Sequence, residues 1–290
     1  MKVKKAVIPA AGLGTRVLPA SKSMPKEMLP IVDKPAIQYI VEEAVKSGIE
    51  DILIITNRGK HDIEDHFDRS PELESRLAAS GKDKMLKEVV DITKLANIYF
   101  IRQKETKGLG HAVGCARGFV GNEPFAVLYG DDVILGDDPA TLQLCRAYEE
   151  FGKGVLGIRE VEKSAIYKYS SLKVDKIRDN IYNCTDMIEK PQTDDQILSL
   201  FSILGRCVLT PDIFDIIDNT APGAGGEIQL TDAMHTLAKT KGMIGVDYTG
   251  RRYDMGSKLG VMQASVEVAL KHPDIGEDFK NYLKGIASEL

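Results

Sequence analysis

The sequence predicts an α/β fold in which a mixed, mainly parallel central sheet is flanked by helices. Apolar and β-branched runs alternate along the chain with segments whose apolar residues recur at helical spacing. Glycine-rich or acidic segments follow several of these runs, as expected where the strands of an open sheet end. With 290 residues and 43% hydrophobic content, the chain can bury a sizeable core.

The first half of the chain shows the alternation most clearly. We expect strands over residues 3–9, 51–56, 97–102 and 125–129, and helices over 35–48, 61–67, parts of 71–95 and 112–119. Pro35 suits a first helical position, and Gly48 suits a helix end. Because ligands gather at the carboxyl ends of parallel strands, the loop after residue 9, Gln103 and Asp131 are expected to meet at one edge of the sheet.

The pattern changes after Asp137. We expect a helix over 139–151, strands over 154–159, 187–191 and 202–209, a polar segment up to Asn183, a helix beginning near Glu227, and a return to the site at 247–256. The last segment is helical, with apolar stripes at 259, 262, 266 and 270 and at 279, 283 and 286. We therefore expect one domain over residues 1–256 and a helical tail over 257–290 that mediates self-association.

Composition excludes several classes of protein. The formal net charge of -5 argues against a general nucleic-acid-binding surface. The four cysteines form no C-x-x-C pair, which is typical of free thiols in a reducing compartment. We find neither a signal peptide nor a membrane span, so we expect a cytoplasmic protein without a membrane partner.

The loop over residues 10–30 has the composition of a polyphosphate site. Gly12 and Gly14 allow backbone N–H groups to approach an anion, and Arg16, Lys22 and Lys26 add three cations. The spacing matches neither the dinucleotide fingerprint nor the P-loop. The alternative is a structural turn whose basic side chains are merely solvated.

Acidic residues at a strand end form a candidate magnesium site. Asp131 and Asp132 follow the strand predicted at 125–129, and carboxylates together with substrate phosphates are the usual ligands of Mg²⁺. Asp254 is the natural second carboxylate. The alternative is an acidic pair that caps the next turn.

Two further positions carry side chains suited to a sugar phosphate and a base. Glu189 offers an acceptor for sugar hydroxyls, and Lys190 offers a cation for a monophosphate, although the pair is equally typical of an exposed ion pair. Gln103 has the donors and acceptor needed to read the imide edge of a pyrimidine, although it could be an ordinary solvated amide.

Taken in order, the motifs of the chain resemble those of the bacterial UTP–glucose-1-phosphate uridylyltransferases, which belong to the sugar-phosphate nucleotidyltransferase family. The resemblance spans nearly the whole chain. It rests on IPAAGLGTR at 8–16, PKEMLP at 25–30, KGLGHA at 107–112, GDD at 130–132, EKP at 189–191, LGR at 204–206, GGEIQLTD at 225–232 and KLG at 258–260. It implies a Rossmann-like nucleotidyltransferase fold, with a nucleotide-binding half at 1–150 and a sugar-phosphate-binding half at 151–256.

The resemblance also implies a reaction. Glucose 1-phosphate would attack the α-phosphorus of UTP, giving UDP-glucose and pyrophosphate with Mg²⁺ as cofactor, in a homodimer or homotetramer. Arg16, Lys26, Asp131 and Lys190 would be catalytic because they offset the repulsion between two anionic substrates.

Further site residues follow from the same resemblance. It assigns uracil and ribose to Ala10, Ala11, Gly12, Glu27, Gln103 and Gly108, the triphosphate to Gly14, Thr15, Arg16 and Lys26, the metal to Asp131 and Asp254, and the sugar side to Ser170, Glu189, Lys190, Gly205 and Glu227.

Departures from the family pattern leave alternatives open. The family has a glycine where this chain has Ser170, and residues 198–201 also differ from its usual sequence. A nucleotidyltransferase for galactose 1-phosphate or another hexose 1-phosphate, an enzyme that uses dTTP, and a non-catalytic nucleotide-sugar-binding protein are the alternatives.

Overall fold

The computed structural model describes residues 1–289, apart from the side chain of Ala224, and contains thirteen strands and eleven α-helices in that part of the chain. The strands are β1 (Lys5–Pro9), β2 (Pro30–Ile31), β3 (Lys34–Pro35), β4 (Asp51–Thr56), β5 (Asn97–Arg102), β6 (Phe125–Leu128), β7 (Asp132–Leu135), β8 (Gly154–Glu160), β9 (Ser170–Arg178), β10 (Ile181–Glu189), β11 (Phe201–Leu209), β12 (Met243–Asp247) and β13 (Arg251–Asp254). The helices are α1 (Ala36–Lys46), α2 (His61–Phe67), α3 (Pro71–Ala79), α4 (Asp83–Ile92), α5 (Leu109–Gly114), α6 (Arg117–Val120), α7 (Ala140–Phe151), α8 (Asp212–Asp218), α9 (Leu230–Lys241), α10 (Lys258–Ala269) and α11 (Gly276–Ala287).

Nine strands form one mixed sheet in the order β5-β4-β1-β6-β11-β8-β12-β10-β9. Strands β10 and β11 run against the others, so the sheet is mainly parallel in direction, as the sequence predicts. Two small antiparallel pairs, β2 with β3 and β7 with β13, lie outside it.

The core lies on both faces of this sheet. Along β1, Ala6 and Ile8 belong to one apolar cluster and Val7 to the other, because successive side chains of a strand point to opposite faces. Helices α1, α7 and α10 cover the first face, and α5, α8 and α9 cover the second. Burial on both faces explains the unbroken apolar runs of the central strands.

The structure confirms the elements predicted in the first 102 residues. Strands β4 and β5 and helix α2 have the predicted bounds, and α1 begins one residue after Pro35. Gly48 follows α1 with φ +84°, a left-handed conformation that glycine adopts without strain.

The prediction of one continuous helix over 112–119 is wrong, because the structure has two short helices, α5 and α6, in this region. Helix α5 begins earlier, at Leu109, where Gly110 N–H donates to the carbonyl oxygen of Ile228 (2.8 Å). Gly114 and Gly118 weaken a continuous helix because glycine loses the most backbone entropy on folding.

The polar segment predicted up to Asn183 is also wrong, because residues 170–189 form the hairpin of β9 and β10. This hairpin lies at the sheet edge, and in β9 the buried Ser170 and Ser171 are polar while residues 175–178 are all exposed, so the apolar signal of a strand is weak. Strand β10 ends at Glu189, so the strand predicted at 187–191 covers only the last three residues of β10 and two residues beyond it.

Smaller differences concern the chain from residue 132 onward. Helix α8 was not expected, and the helix predicted near Glu227 begins at Leu230 as α9. Strands β7, β12 and β13 are short and were not expected either. Short elements of this kind leave too few residues for a periodic signal.

The tail consists of α10 and α11, as predicted. Val261 and Val268 pack against the core, whereas Leu259 and Met262 are 69% and 60% exposed. No helix within residues 1–289 has both the length and the apolar character that crossing a bilayer would require.

Candidate active site

The loop that follows β1 borders a cavity of about 410 Å³. Backbone and side-chain hydrogen bonds fix the start of the loop, since Ala10 N–H donates to the Ile55 carbonyl (2.8 Å) and Asn57 Nδ2 donates to the Ala11 carbonyl (2.6 Å). Gly14 has φ +69°, and Ser21 Oγ donates to its carbonyl oxygen (2.7 Å). The loop is therefore a fixed cradle beside the sheet.

Most of the predicted nucleotide-binding residues meet at this cavity. It is lined by Ala11, Gly12, Gly14, Thr15, Lys26, Gln103 and Gly108, together with Asp131 and Glu227. Leu13, Thr106, Leu109, Ala112, Tyr129 and Gly130 line it as well, and sequence analysis did not single them out. Ala10 is buried beside the cavity, and Lys22 does not line it.

Two cations face two carboxylates at one end of the cavity. Lys26 Nζ lies 2.5 Å from Asp131 Oδ2, and Arg16 Nη1 lies 2.9 Å from Asp254 Oδ2. Although burial raises the pKa of Asp131, the charges of Lys26 and Arg16 outweigh it and hold that pKa below the usual value. Asp131 is therefore ionised at neutral pH.

Asp131 and Asp254 come together because β7 and β13 pair. In this pair Asp254 lies opposite Asp132, and Met255 N–H donates to the Asp131 carbonyl (2.8 Å). A Cβ at Gly256 would stand closest to Arg16 Nη2, then 2.8 Å from Asp131 Oδ2 and 3.0 Å from Asp254 Oδ1, so the glycine leaves a space that both carboxylates and the Arg16 guanidinium border. Hard oxygen donors around such a space fit a divalent cation.

Protein side chains alone would not complete the coordination of a metal ion at this site. Among residues 1–289, no group of three or more His, Cys, Asp or Glu side chains is placed to hold a metal ion. Two carboxylates completed by phosphate oxygens and water are typical of Mg²⁺ sites, since Mg²⁺ rarely uses an all-protein cage.

Glycines bring Glu227 to the cavity. Gly108 has φ +99°, and a Cβ there would stand 2.7 Å from Glu227 Cβ and 2.8 Å from the Ile228 carbonyl oxygen. The backbone of residues 107–110 hydrogen bonds to Ile228 in both directions, from Ile228 N–H to the Lys107 carbonyl and from Gly110 N–H to the Ile228 carbonyl (both 2.8 Å). Only glycine allows this close approach.

Gln103 is held in one orientation. Its side chain is buried, and Nε2 lies 3.2 Å from the Gly108 carbonyl oxygen and 2.8 Å from His111 Nδ1. A fixed amide can discriminate between bases because its donor and acceptor positions do not rotate.

Glu27 lies beneath the loop and does not line the cavity. It is fully buried, and Oε2 accepts a hydrogen bond from Lys60 Nζ (2.7 Å). Burial raises the pKa of Glu27 and lowers that of Lys60, in each case against the charge of its partner. The observed contact joins Glu27 to Lys60, and the predicted contact of Glu27 with uracil or ribose stays a prediction.

The residues predicted for the sugar side lie on or beside strands β9, β10 and β11, apart from Glu227, which lies in the loop before α9. Glu189 ends β10, and its Oε2 accepts a hydrogen bond from Thr231 Oγ1 (2.8 Å). Lys190 follows in a left-handed conformation with φ +48°, which is strained for a residue with a side chain. Its ammonium group is half-exposed and 3.8 Å from Glu189 Oε1.

In this structure Ser170 and Gly205 contact residues of other strands. The Ser170 hydroxyl is buried, accepts a hydrogen bond from Ile203 N–H (3.1 Å) and lies 3.3 Å from Ser202 Oγ. Gly205 has φ +79°, and a Cβ there would lie 2.8 Å from the Asp132 carboxylate. Their predicted contacts with a sugar remain predictions.

Sequence analysis missed the role of Arg252. Its Nη2 lies 2.6 Å from Asp132 Oδ1, close to the cavity carboxylates. A signal was present in the sequence, because Arg252 and Asp254 are two residues apart and therefore share one face of β13. It could be recognised only once residues 251–254 were known to form a strand.

Comparisons with known proteins agree with this geometry. The family model described as nucleotidyl transferase matches residues 5–270. A UTP–glucose-1-phosphate uridylyltransferase of Staphylococcus epidermidis is 51% identical over 283 residues, which cover 98% of each chain.

Solved structures give the same result. A UTP-bound UGPase from Acinetobacter baumannii has a TM-score of 0.90 and 37% identity, covering 97% of this chain and 98% of that one. A UDP-glucose pyrophosphorylase complexed with UDP-glucose has a TM-score of 0.84 and 42% identity, covering 93% of this chain and 100% of that one. This chain belongs to the nucleotidyl transferase family and, within it, to the UTP–glucose-1-phosphate uridylyltransferases.

Proposed function

We propose that this protein transfers a uridylyl group from UTP to glucose 1-phosphate, releasing UDP-glucose and pyrophosphate. The observation that carries the proposal is the single cavity in which Lys26 and Asp131 meet Gln103, in a chain 51% identical to a UTP–glucose-1-phosphate uridylyltransferase. The similar structures that hold UTP and UDP-glucose support the same substrates.

The nucleotide half of the site performs the first task, which is to hold the triphosphate. Gly12 and Gly14 line the cavity, and Lys26 and Arg16 lie at its carboxylate end. In our proposal the two side chains exchange their carboxylate partners for phosphate oxygens. Fixed cations lower the barrier because charge repulsion, rather than a weak nucleophile, opposes the reaction.

The sugar half presents the attacking group. A phosphate monoester is already a nucleophile, so no covalent enzyme intermediate is needed. We assign the phosphate of glucose 1-phosphate to Lys190 and the glucose hydroxyls to Glu189, with Ser170, Gly205 and Glu227 on the same side. Their task is to orient the attacking oxygen in line with the leaving pyrophosphate.

Enzymes of the nucleotidyl transferase family generally use a divalent metal ion. We assign Mg²⁺ to Asp131 and Asp254, whose hard oxygen donors suit it. When bound, the ion would neutralise phosphate charge and orient the reacting phosphate.

We also propose roles for three parts of the chain, an oligomeric state and a cellular location. We assign the nucleotide to residues 1–150, the sugar phosphate to 151–256 and a homodimer or homotetramer contact to 257–290. All four cysteines are free thiols, which supports a reducing, cytoplasmic location. We propose no nucleic-acid or membrane partner.

The test measures pyrophosphate and UDP-glucose formation with purified protein, UTP, glucose 1-phosphate and Mg²⁺. Parallel reactions replace UTP by dTTP and glucose 1-phosphate by galactose 1-phosphate. We expect the highest kcat/KM with the first pair. Preference for dTTP or for another hexose phosphate would replace the proposed substrate, and binding without turnover of any pair would reject an enzymatic function.

A further inference from the structure

A chain of contacts links the carboxylate end of the cavity to Lys190. We propose that Arg252 and Tyr169 are positioning residues that hold Lys190 in place relative to Asp131 and Asp254. This inference rests on the proposed function, because it concerns how Lys190 is aligned with the nucleotide and its metal ion.

The first contact joins Arg252 to the acidic turn. The Arg252 side chain is 18% exposed and that of Asp132 is 5% exposed, and Nη2 of the first lies 2.6 Å from Oδ1 of the second. Because a charge pair this far from water is attracted strongly, it fixes the guanidinium beside the turn that carries Asp131.

The second contact joins Arg252 to Tyr169. The guanidinium carbon lies 5.4 Å from the centre of the Tyr169 ring, and Nη1 lies 3.5 Å from the phenol oxygen. This is the distance of a cation–π contact, which is stronger where both partners are partly removed from water. The planar guanidinium suits such a stack, whereas a lysine ammonium in its place would keep the charge and lose the plane.

The third contact joins Tyr169 to Lys190. The Tyr169 carbonyl accepts a hydrogen bond from the Lys190 backbone N–H (3.0 Å), just beyond the ends of β9 and β10. Lys190 has φ +48°, a strained conformation that persists only where surrounding contacts impose it. Tyr169 therefore fixes the residue whose ammonium is assigned to the sugar phosphate.

These contacts cross a boundary in the fold. Asp132 and Arg252 belong to the separate pair β7 and β13, whereas Tyr169 and Lys190 flank the edge hairpin of the main sheet. Gly205 and Arg206 on β11 also join the main sheet to the turn of Asp132, and the contacts of Arg252 add a link from that turn to the hairpin. The stack between Arg252 and Tyr169 is a direct connection between them.

The experiment varies glucose 1-phosphate and UTP separately in the UDP-glucose assay, for Arg252→Lys, Lys190→Ala and the double variant. We expect Arg252→Lys to raise KM for glucose 1-phosphate about fivefold to tenfold and to change KM for UTP by less than about twofold. In the Lys190→Ala background the same change should alter kcat/KM for glucose 1-phosphate by less than about twofold, since coupled residues are not additive.

Matched variants separate positioning from folding. Arg251→Lys, one residue earlier on β13, alters an exposed arginine paired with Glu267 and should leave both KM values unchanged. Tyr169→Leu removes the stack and should reproduce the effect of Arg252→Lys. Unchanged thermal unfolding temperatures exclude a general loss of structure.

Two results would overturn the inference. An undiminished effect of Arg252→Lys in the Lys190→Ala background would mean that Arg252 acts on the substrate itself, and an equal rise in KM for UTP would mean a general disturbance. A wild-type protein that makes no UDP-glucose would instead reject the proposed function, so the two failures can be told apart.

Discussion

At the scale of single residues, the candidate site consists of charged side chains that are already oriented by ion pairs or hydrogen bonds. Lys26 and Arg16 are paired with carboxylates, and Glu189 is held by Thr231. Such pairs keep the side chains oriented before substrate binds, which reduces the entropy lost on binding. Substitutions of single partners therefore test the assigned roles most directly.

Lys190→Ala removes the cation assigned to the sugar phosphate. We expect a loss of about 10²–10³-fold in kcat/KM for glucose 1-phosphate, the typical effect of deleting one charge-assisted contact in a transition state. Steady-state kinetics with each substrate varied in turn measures it. The exposed Lys163, which pairs with Asp194 outside the site, offers a control in Lys163→Ala. Unchanged kinetics for Lys190→Ala would remove this residue from the mechanism.

Thr231→Val tests the ionisation of Glu189. Burial raises the pKa of Glu189, and the hydrogen bond from Thr231 together with the charge of Lys190 limits the rise. Without the hydroxyl the pKa of Glu189 should rise further, so the carboxylate that we assign to the sugar hydroxyls is protonated already at a higher pH. We expect the acidic limb of the kcat/KM profile for glucose 1-phosphate to move to higher pH.

The control for this pH profile is Thr236→Val, on the exposed side of the same helix α9. The second ionisation of the sugar phosphate, at a pH of about 6, affects all variants equally and cancels in the comparison. A limb that does not move, or moves to lower pH, would contradict the assigned coupling between Thr231 and Glu189.

At the scale of elements, close backbone approaches and one buried ion pair hold the loops of the site together. Arg206 on β11 and Glu43 on α1 are both buried, with Nη2 2.6 Å from Oε2. Glu43 also accepts hydrogen bonds from Thr141 at the start of α7, and Arg206 donates to the carbonyl oxygens of Gly205 and Asp132. This network ties α1, α7 and β11 to the acidic turn.

Glu43→Ala leaves the Arg206 charge buried without its partner. We expect the free energy of unfolding to fall by about 3–5 kcal/mol, because an uncompensated buried charge is strongly unfavourable. The double variant Glu43→Leu with Arg206→Met should be closer to the wild type in stability, since both charges are removed. Denaturant unfolding measures the two differences, and equal losses would show that the pair is not coupled.

Gly108→Ala tests the approach of residues 107–110 to Glu227. The left-handed φ of +99° and the 2.7 Å distance from the added Cβ to Glu227 Cβ both oppose the substitution. We expect KM for UTP to rise by about 10- to 100-fold, the equivalent of 1–3 kcal/mol of backbone strain. Gly118→Ala on α6, where the added Cβ meets nothing within 4 Å, should leave KM unchanged. An unchanged KM for Gly108→Ala would mean that the loop adapts freely.

At the scale of the whole molecule, the mixed sheet and the separate pair β7 and β13 together carry the candidate site. Strands β1 and β6 bring the loop after β1 beside the turn of Asp131, and β10 with β11 carries Lys190 and Gly205, which we assign to the sugar side. The tail packs one side of α10 on the core and turns the other side outward. That outward side is the part of the molecule proposed for subunit contact.

Leu259→Lys combined with Met262→Lys tests self-association through α10. Both side chains are more than half exposed, and a subunit contact there would bury their apolar surface. We expect the double variant to shift the protein to a smaller mass in sedimentation or light-scattering measurements. Met85→Lys, at an exposed apolar position on α4, should not change the mass. A wild-type monomer would reject the proposed oligomer.

The sequence by itself determined the fold class, the central strands and most of the cavity. Buried strands such as β4 and β5 are readable because burial on both faces demands continuous apolar runs, and the cavity loop is readable because glycines and cations are close in sequence. The family motifs add the sugar-side residues, whose chemistry local composition leaves ambiguous.

Only the tertiary structure decided the edge hairpin of β9 and β10, the burial of Glu27 and the contact of Arg252 with Tyr169. Most residues of β9 and β10 are exposed or only half-buried, so few buried apolar residues mark these strands, and only their pairing reveals them. Asp132, Tyr169 and Arg252 are far apart in the chain, and their meeting depends on how separate sheets pack. Local sequence patterns reflect whether a segment is buried, whereas a contact between residues far apart in the chain forms only when the chain folds.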